Sequence, residues 1–213
     1  MFKYTLDYLQ RRNHMLFNLE EIRSQRRPVL NSRLRKIACD ESVSPSLESF
    51  SVKADEKFDV FLSYSSIDVE DALKLAEMIN NFGFSVYIDC KSDPQLSRDN
   101  VSRRTAECLR NRLDHCECLI YAATIGSKVS QWMPWEAGYM DAKNGQVAIL
   151  PVAQNILHSR TEIYRGQEYL SLYPYISKEK AEGSSNMVLW TNETEKCYCK
   201  FASWLKGRKP YIH

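Results

Sequence analysis

The chain predicts an α/β fold: a parallel sheet with helices on both faces. Three observations carry that expectation. Short apolar runs alternate with amphipathic stretches from residue 58 onward. The runs at 58–64 and 147–152 are predominantly apolar, which is the pattern of strands buried on both faces. The 213 residues are 44% hydrophobic and 26% charged, enough for one sizeable globular domain plus an extension. Strand–helix alternation with right-handed crossovers makes the sheet flavodoxin-like, and ligands of such sheets bind beyond the carboxyl ends of the strands.

Each element has its own signal. Residues 4–26 predict a helix with Leu6, Leu9, Leu16, Leu19 and Ile22 on one stripe, closed by Arg26-Arg27-Pro28. Residues 40–55 turn to Ser, Pro, Glu and Asp, a linker composition. The expected organisation is therefore an N-terminal helical extension and linker over 1–52 and a main domain over 53–213. Residues 58–64 predict a first strand. Asp68 is placed to cap a helix whose apolar face is Val69, Ala72, Leu73, Ala76 and Ile79, with Gly83 at its end. A second strand at 84–89 leads into a polar loop to Arg98. Val101, Thr105, Cys108, Leu109 and Leu113 form the inner face of the next helix. A third strand at 118–123, a loop at 124–131, a helix holding Glu136 and closed by Gly145, and a fourth strand at 147–152 follow. A fifth strand is expected at 169–176, at an edge because of Pro174. Asn192 and Glu195 predict a capped final helix with Tyr198, Phe201, Trp204 and Leu205 on one face and Gly207 at its end. The sheet is thus expected to have five strands.

Composition narrows the partners. The net charge is +2, from 29 Lys/Arg and 27 Asp/Glu, so the chain as a whole favours no polyanion and no nucleic-acid role is expected. Residues 1–37 hold nine of the basic residues and three of the acidic ones, a basic arm most simply read as a solvated face. Seven scattered cysteines fit a reducing cytoplasm better than a disulfide framework. Cys116 and Cys118, and Cys197 and Cys199, lack zinc-site spacing, so no metal is expected. The first pair suits a strand with both thiols on one face. No apolar run approaches the ~20 residues of a membrane span, and the amino terminus has no signal-peptide core.

The most informative run is Ser127 to Asp141. It sets one carboxylate, Glu136, among Trp132, Met133, Trp135, Tyr139 and Met140. Pro134 fits the first turn of a helix and Ser130 is a plausible cap. Trp132 and Glu136, four apart, share a helical face, and Glu136 falls near the helix start, where the dipole favours a carboxylate. An indole offers a flat face for a base or pyridinium ring. A carboxylate can bind ribose hydroxyls or steady a developing oxocarbenium ion. The plainer reading of the segment alone is a core helix with a buried tryptophan and a capping glutamate.

Phe58-Asp59-Val60-Phe61-Leu62-Ser63-Tyr64-Ser65 resembles the first-strand motif of Toll/interleukin-1 receptor (TIR) domains. Trp132-Met133-Pro134-Trp135-Glu136 is similar to the Trp-x-x-x-Glu motif on that family's third helix. The Trp-Met-Pro-Trp-Glu-Ala-Gly-Tyr run and Leu172-Tyr173-Pro174-Tyr175 resemble the stand-alone prokaryotic members, especially those of the Thoeris anti-phage system. The resemblance covers roughly residues 57–152 and extends to the C-terminal region. It implies a TIR fold and cleavage of the nicotinamide–ribose bond of NAD, giving an ADP-ribose-derived, cyclic signal that passes to a downstream effector. It implies Glu136 as the catalytic glutamate and Trp132 as the stacking partner. Ser63, Tyr64 and Ser65 are further expected contacts, and residues 89–98, with Asp89 and Arg98, correspond to the loop that gates the site and joins subunits. Arg98, Arg103 or Arg104 could meet the pyrophosphate. NAD is then a substrate and no cofactor is expected, in keeping with the absence of Gly-x-Gly-x-x-Gly. Two other readings stand beside it: a TIR scaffold without activity, and a nucleoside deoxyribosyltransferase-like enzyme.

Overall fold

The computed structural model describes residues 16–25, 34–36, 57–65, 69–88, 103–124, 126–153, 166–181 and 183–213. The linker at 40–55, Asp68, Asp89 and the loop to Arg98 lie outside them. The described strands are β1 (Phe17–Asn18), β2 (Leu34–Lys36), β3 (Phe58–Ser63), β4 (Val86–Ile88), β5 (Cys116–Ala123), β6 (Val147–Ala153), β7 (Tyr175–Lys180), β8 (Met187–Asn192), β9 (Cys197–Lys200) and β10 (Tyr211–Ile212). They form one ten-stranded sheet in the order β10-β9-β8-β7-β6-β5-β3-β4-β2, with β1 beside β6. From β2 to β7 the pairings are parallel, and the β7–β8–β9–β10 end is antiparallel.

The sheet has a helical layer on each face. Helices α1 (Leu19–Ser24), α2 (Val69–Asn81) and α5 (Phe201–Trp204) lie on one side, where Ile22, Leu75, Ala76, Ile79 and Phe201 pack with Val60, Leu62, Ile120 and Leu150. Helices α3 (Arg103–Asp114) and α4 (Trp132–Asn144) cover the other, where Leu109, Leu113, Met133, Ala137 and Met140 pack with Phe61, Leu119, Tyr121 and Ile149. Each Leu, Ile, Val, Phe or Met side chain taken from water here contributes about 1.5–3 kcal/mol, which is why predominantly apolar runs are the right sequence for these strands.

Five expectations change. The sheet exceeds five strands, because the chain adds strands at both termini. The helix expected at 4–26 is, within the described residues, the six-residue α1 preceded by β1. Phe17 pairs with Val152 and is buried, while the Asn18 side chain caps α1 by accepting from the Glu21 N–H at 2.8 Å. The edge strand expected at 169–176 is a 3₁₀ turn (Glu168–Leu172) followed by β7, an interior strand between β6 and β8. Pro174, which lacks an N–H, sits just before β7, where its carbonyl accepts from Ile149 at 2.8 Å. The capped C-terminal helix is instead the β8–β9 hairpin and the four-residue α5. Asn192 is buried in β8 and donates to the Tyr175 carbonyl and the Ser177 hydroxyl, and Thr194 Oγ1 accepts from the Lys196 and Cys197 N–H groups to close the turn.

The two thiols of β5 also part company. Cys118 joins the α2 side of the core. Cys116, the first residue of the strand, turns to the α3 side, where its Sγ lies 3.4 Å from the Arg112 carbonyl.

The amino-terminal segment is fastened to the body by charge. Arg23 pairs with Asp71 through two nitrogens, and Lys74 donates to the Arg23 carbonyl at 3.0 Å. Buried Lys178 of β7 pairs with Glu21 and lies 4.9 Å from the centre of the Phe17 ring.

Candidate functional site

Helix α4 is built to hold its side chains still. The Ser130 hydroxyl accepts from the Met133 N–H at 3.3 Å, although Gln131 is the residue at the cap itself. Pro134 occupies the first turn, where no N–H is needed. At the far end Gly145 takes the left-handed conformation at φ 69°, and its N–H closes on the Asp141 carbonyl at 2.9 Å. The Lys143 ammonium donates to the carbonyls of Leu113, Asp114 and Cys116, where α3 ends and β5 begins. A cation there meets the negative end of the α3 dipole and locks the two helices together.

On this rigid helix Glu136 turns inward and is completely buried. The Ser63 hydroxyl, on the last residue of β3, donates to Glu136 Oε2 at 2.6 Å. Trp132 lies one turn earlier, also buried, edge-on to Trp135 with ring centres 5.6 Å apart. Trp135 in turn stacks on Tyr139 and is faced by the Arg110 guanidinium. The carboxylate therefore lies at the carboxyl end of β3, within the parallel part of the sheet, where a ligand belongs in such a fold.

The expected site residues divide accordingly. Ser63 meets Glu136, and Trp132 shares its helix face. Tyr64 packs into the opposite layer, with Ala122 and Val152, and Ser65 is buried beyond the strand end. Arg103 is exposed and pairs with Glu107 one turn on. Asp89 and Arg98 lie outside the described residues. Among the described residues no group of His, Cys, Asp and Glu could hold a metal ion, and no helix is long and apolar enough to cross a membrane.

A second polar group was missed from the sequence. Ser63 pairs across the sheet with Tyr121, and Tyr121 with Ile149. Gln167 Nε2 donates to the Tyr121 hydroxyl at 2.9 Å and lies 3.4 Å from that of Tyr169. Ser127 Oγ lies 2.7 Å from the Thr124 carbonyl and 3.3 Å from Gln167 Oε1. Burial, then the neighbouring Tyr169 hydroxyl, holds the Tyr121 phenol well above its ordinary pKa, so it stays protonated. The available signal was a lone phenol inside an apolar strand, which must find a polar partner when buried.

The geometry can be set beside known proteins. The chain is 42% identical over 149 residues to "Probable 3' cyclic ADP-D-ribose synthase ThsB'" of Bacillus cereus (strain MSX-D12), an alignment spanning 70% of this chain and 76% of that protein. The chain belongs to the stand-alone TIR proteins of prokaryotes. It is also 31% identical over 94 residues to "Putative cyclic ADP-D-ribose synthase TIR2" of Cytobacillus dafuensis, covering 44% of this TIR protein and 25% of that one. No family model matches the chain.

Proposed function

We propose that this TIR protein cleaves NAD at the nicotinamide–ribose bond and closes the remaining ADP-ribose into a cyclic nucleotide that serves as a signal in anti-phage defence. The observation that carries the reading is the buried Glu136 carboxylate, held by the Ser63 hydroxyl at 2.6 Å on the ligand-binding end of the sheet. The names of the two relatives, which both contain the words cyclic ADP-D-ribose synthase, support the same chemistry.

In this reading the glycosidic C–N bond breaks and its electron pair leaves with neutral nicotinamide. The anomeric carbon becomes oxocarbenium-like. Glu136 stabilises that charge and positions the ribose hydroxyls, and Ser63 fixes the carboxylate's orientation. Trp132 flanks the ring that departs. A hydroxyl or base nitrogen of the same nucleotide then bonds to the anomeric carbon, with one proton released; water in its place gives linear ADP-ribose. Glu136 has no exposed surface, so in this reading the site opens to admit NAD. In this reading the protein also self-associates through TIR surfaces, and the product acts by diffusing to an effector.

The test is chromatography with mass spectrometry of concentrated protein incubated with NAD, alone and in extracts of phage-infected cells, beside a panel of deoxynucleosides. Nicotinamide release with a cyclic ADP-ribose product is the expected result. Turnover of deoxynucleosides instead, or inactivity in every condition, overturns it.

A further inference from the structure

We infer that Gln167 is a positioning residue that decides whether the cleaved nucleotide is captured by itself or by water; this rests on the NAD-cleaving reading above. Cyclisation and hydrolysis compete for the same anomeric carbon, and the intramolecular route wins only where water is kept out and the nucleotide is held folded. Among the described residues, two short 3₁₀ segments stand beside the helix that holds Glu136: one follows the carboxyl end of β5, and the other leads from Gln167 into the amino end of β7. One (Gly126–Val129) runs directly into α4 and so into Trp132. The other (Glu168–Leu172) sets Leu170, fully buried, into the same layer as Trp132 and Met133.

Neither segment is held by its outer apolar residues, since Val129 and Leu172 are 69% and 80% exposed. What joins them is Gln167. Its side-chain amide, with the residue 7% exposed, reaches Tyr121 on β5, Ser127 on the first segment and Tyr169 on the second. Tyr121 is the cross-strand neighbour of Ser63, so the bolt is anchored to the strand pair that also fixes Glu136. A buried amide with partners on three segments is a poor choice for mere packing, where an apolar side chain avoids desolvating polar atoms. It is a good choice for fixing the spacing of the two segments relative to β5.

The experiment compares wild type, Gln167→Leu and Tyr121→Phe with NAD as the probe, reading nicotinamide, cyclic and linear products together, with amide hydrogen exchange on the same proteins. The expected result is a cyclic-to-linear ratio about fivefold or more lower in both variants, the scale of one lost buried hydrogen bond. Faster exchange of the Ser127 and Ser130 amides, which close the first segment, should accompany it. A ratio within twofold of wild type, with total release either unchanged or reduced, makes Gln167 structural only and overturns the inference. Tyr121→Phe, which keeps Gln167 and its backbone, carries the test if Gln167→Leu does not fold. Wild type that makes only linear product overturns this inference while leaving NAD cleavage standing. Wild type that releases no nicotinamide overturns the functional reading itself.

Discussion

Replacing Ser63 with alanine removes one oxygen and leaves the backbone of β3 in place, because the Ser63–Tyr121 pairing of the sheet does not involve the side chain. The lost contact is the 2.6 Å hydrogen bond to Glu136 Oε2. A hydrogen bond to a carboxylate is worth about 1.5–3 kcal/mol, and each 1.36 kcal/mol is tenfold in rate. If the contact acts mainly on the transition state, nicotinamide release should fall roughly ten- to a hundredfold. If it acts equally on the resting protein, the loss appears in the melt instead, where each kcal/mol lowers Tm by about 2–4 °C for a chain of this size. Initial rates of nicotinamide release and a thermal melt on the same preparation separate the two. A variant with wild-type rate and wild-type Tm refutes the claim that Ser63 holds the carboxylate.

Three further outcomes are expected. Gly145→Ala should lower stability by about 1 kcal/mol in urea, because its φ of 69° is strained for alanine although a Cβ there meets nothing within 4 Å; an unchanged midpoint contradicts the C-cap assignment. Glu21→Ala should cost about 2–4 kcal/mol, since it leaves the buried Lys178 ammonium without its partner, and a Tm shift under 1 °C refutes the anchoring role of that pair. Burial holds the Cys116 and Cys118 thiols far above their ordinary 9.0. Above that pH the unfolded chain loses thiol protons that the folded chain keeps, so stability should fall with rising pH, by about 1.4 kcal/mol per pH unit for each thiol. Equilibrium urea unfolding at pH 8 and pH 10 checks this, and equal stability at the two contradicts it.

The sequence was most legible where one physical constraint dominated. Strands buried on both faces are predominantly apolar, so β3, β5 and β6 stood out despite Asp59 and Glu117. Four-residue spacing put Trp132 and Glu136 on one helix face, and the structure buries both. It was least legible where a pattern served two structures. Tyr198, Phe201, Trp204 and Leu205 satisfy helical spacing, yet only Phe201–Trp204 is helix, because Tyr198 is committed to pairing with Tyr211 and Asn192. Phe17 falls inside the span expected as a helix, but its pairing with Val152 and burial beneath Lys178 override that local preference. The contact of Ser63 with Glu136 spans 73 residues. No local pattern encodes it; it follows only from strand order and the packing of α4 against β3, β5 and β6.

The most direct test of the account is the rate of nicotinamide release by Glu136→Gln beside wild type. Glutamine keeps the volume and an oxygen to accept from Ser63 but removes the charge that would stabilise the oxocarbenium ion. The account predicts a folded variant whose release falls about a hundredfold or more. Release within a few-fold of wild type by a folded Glu136→Gln protein would contradict it.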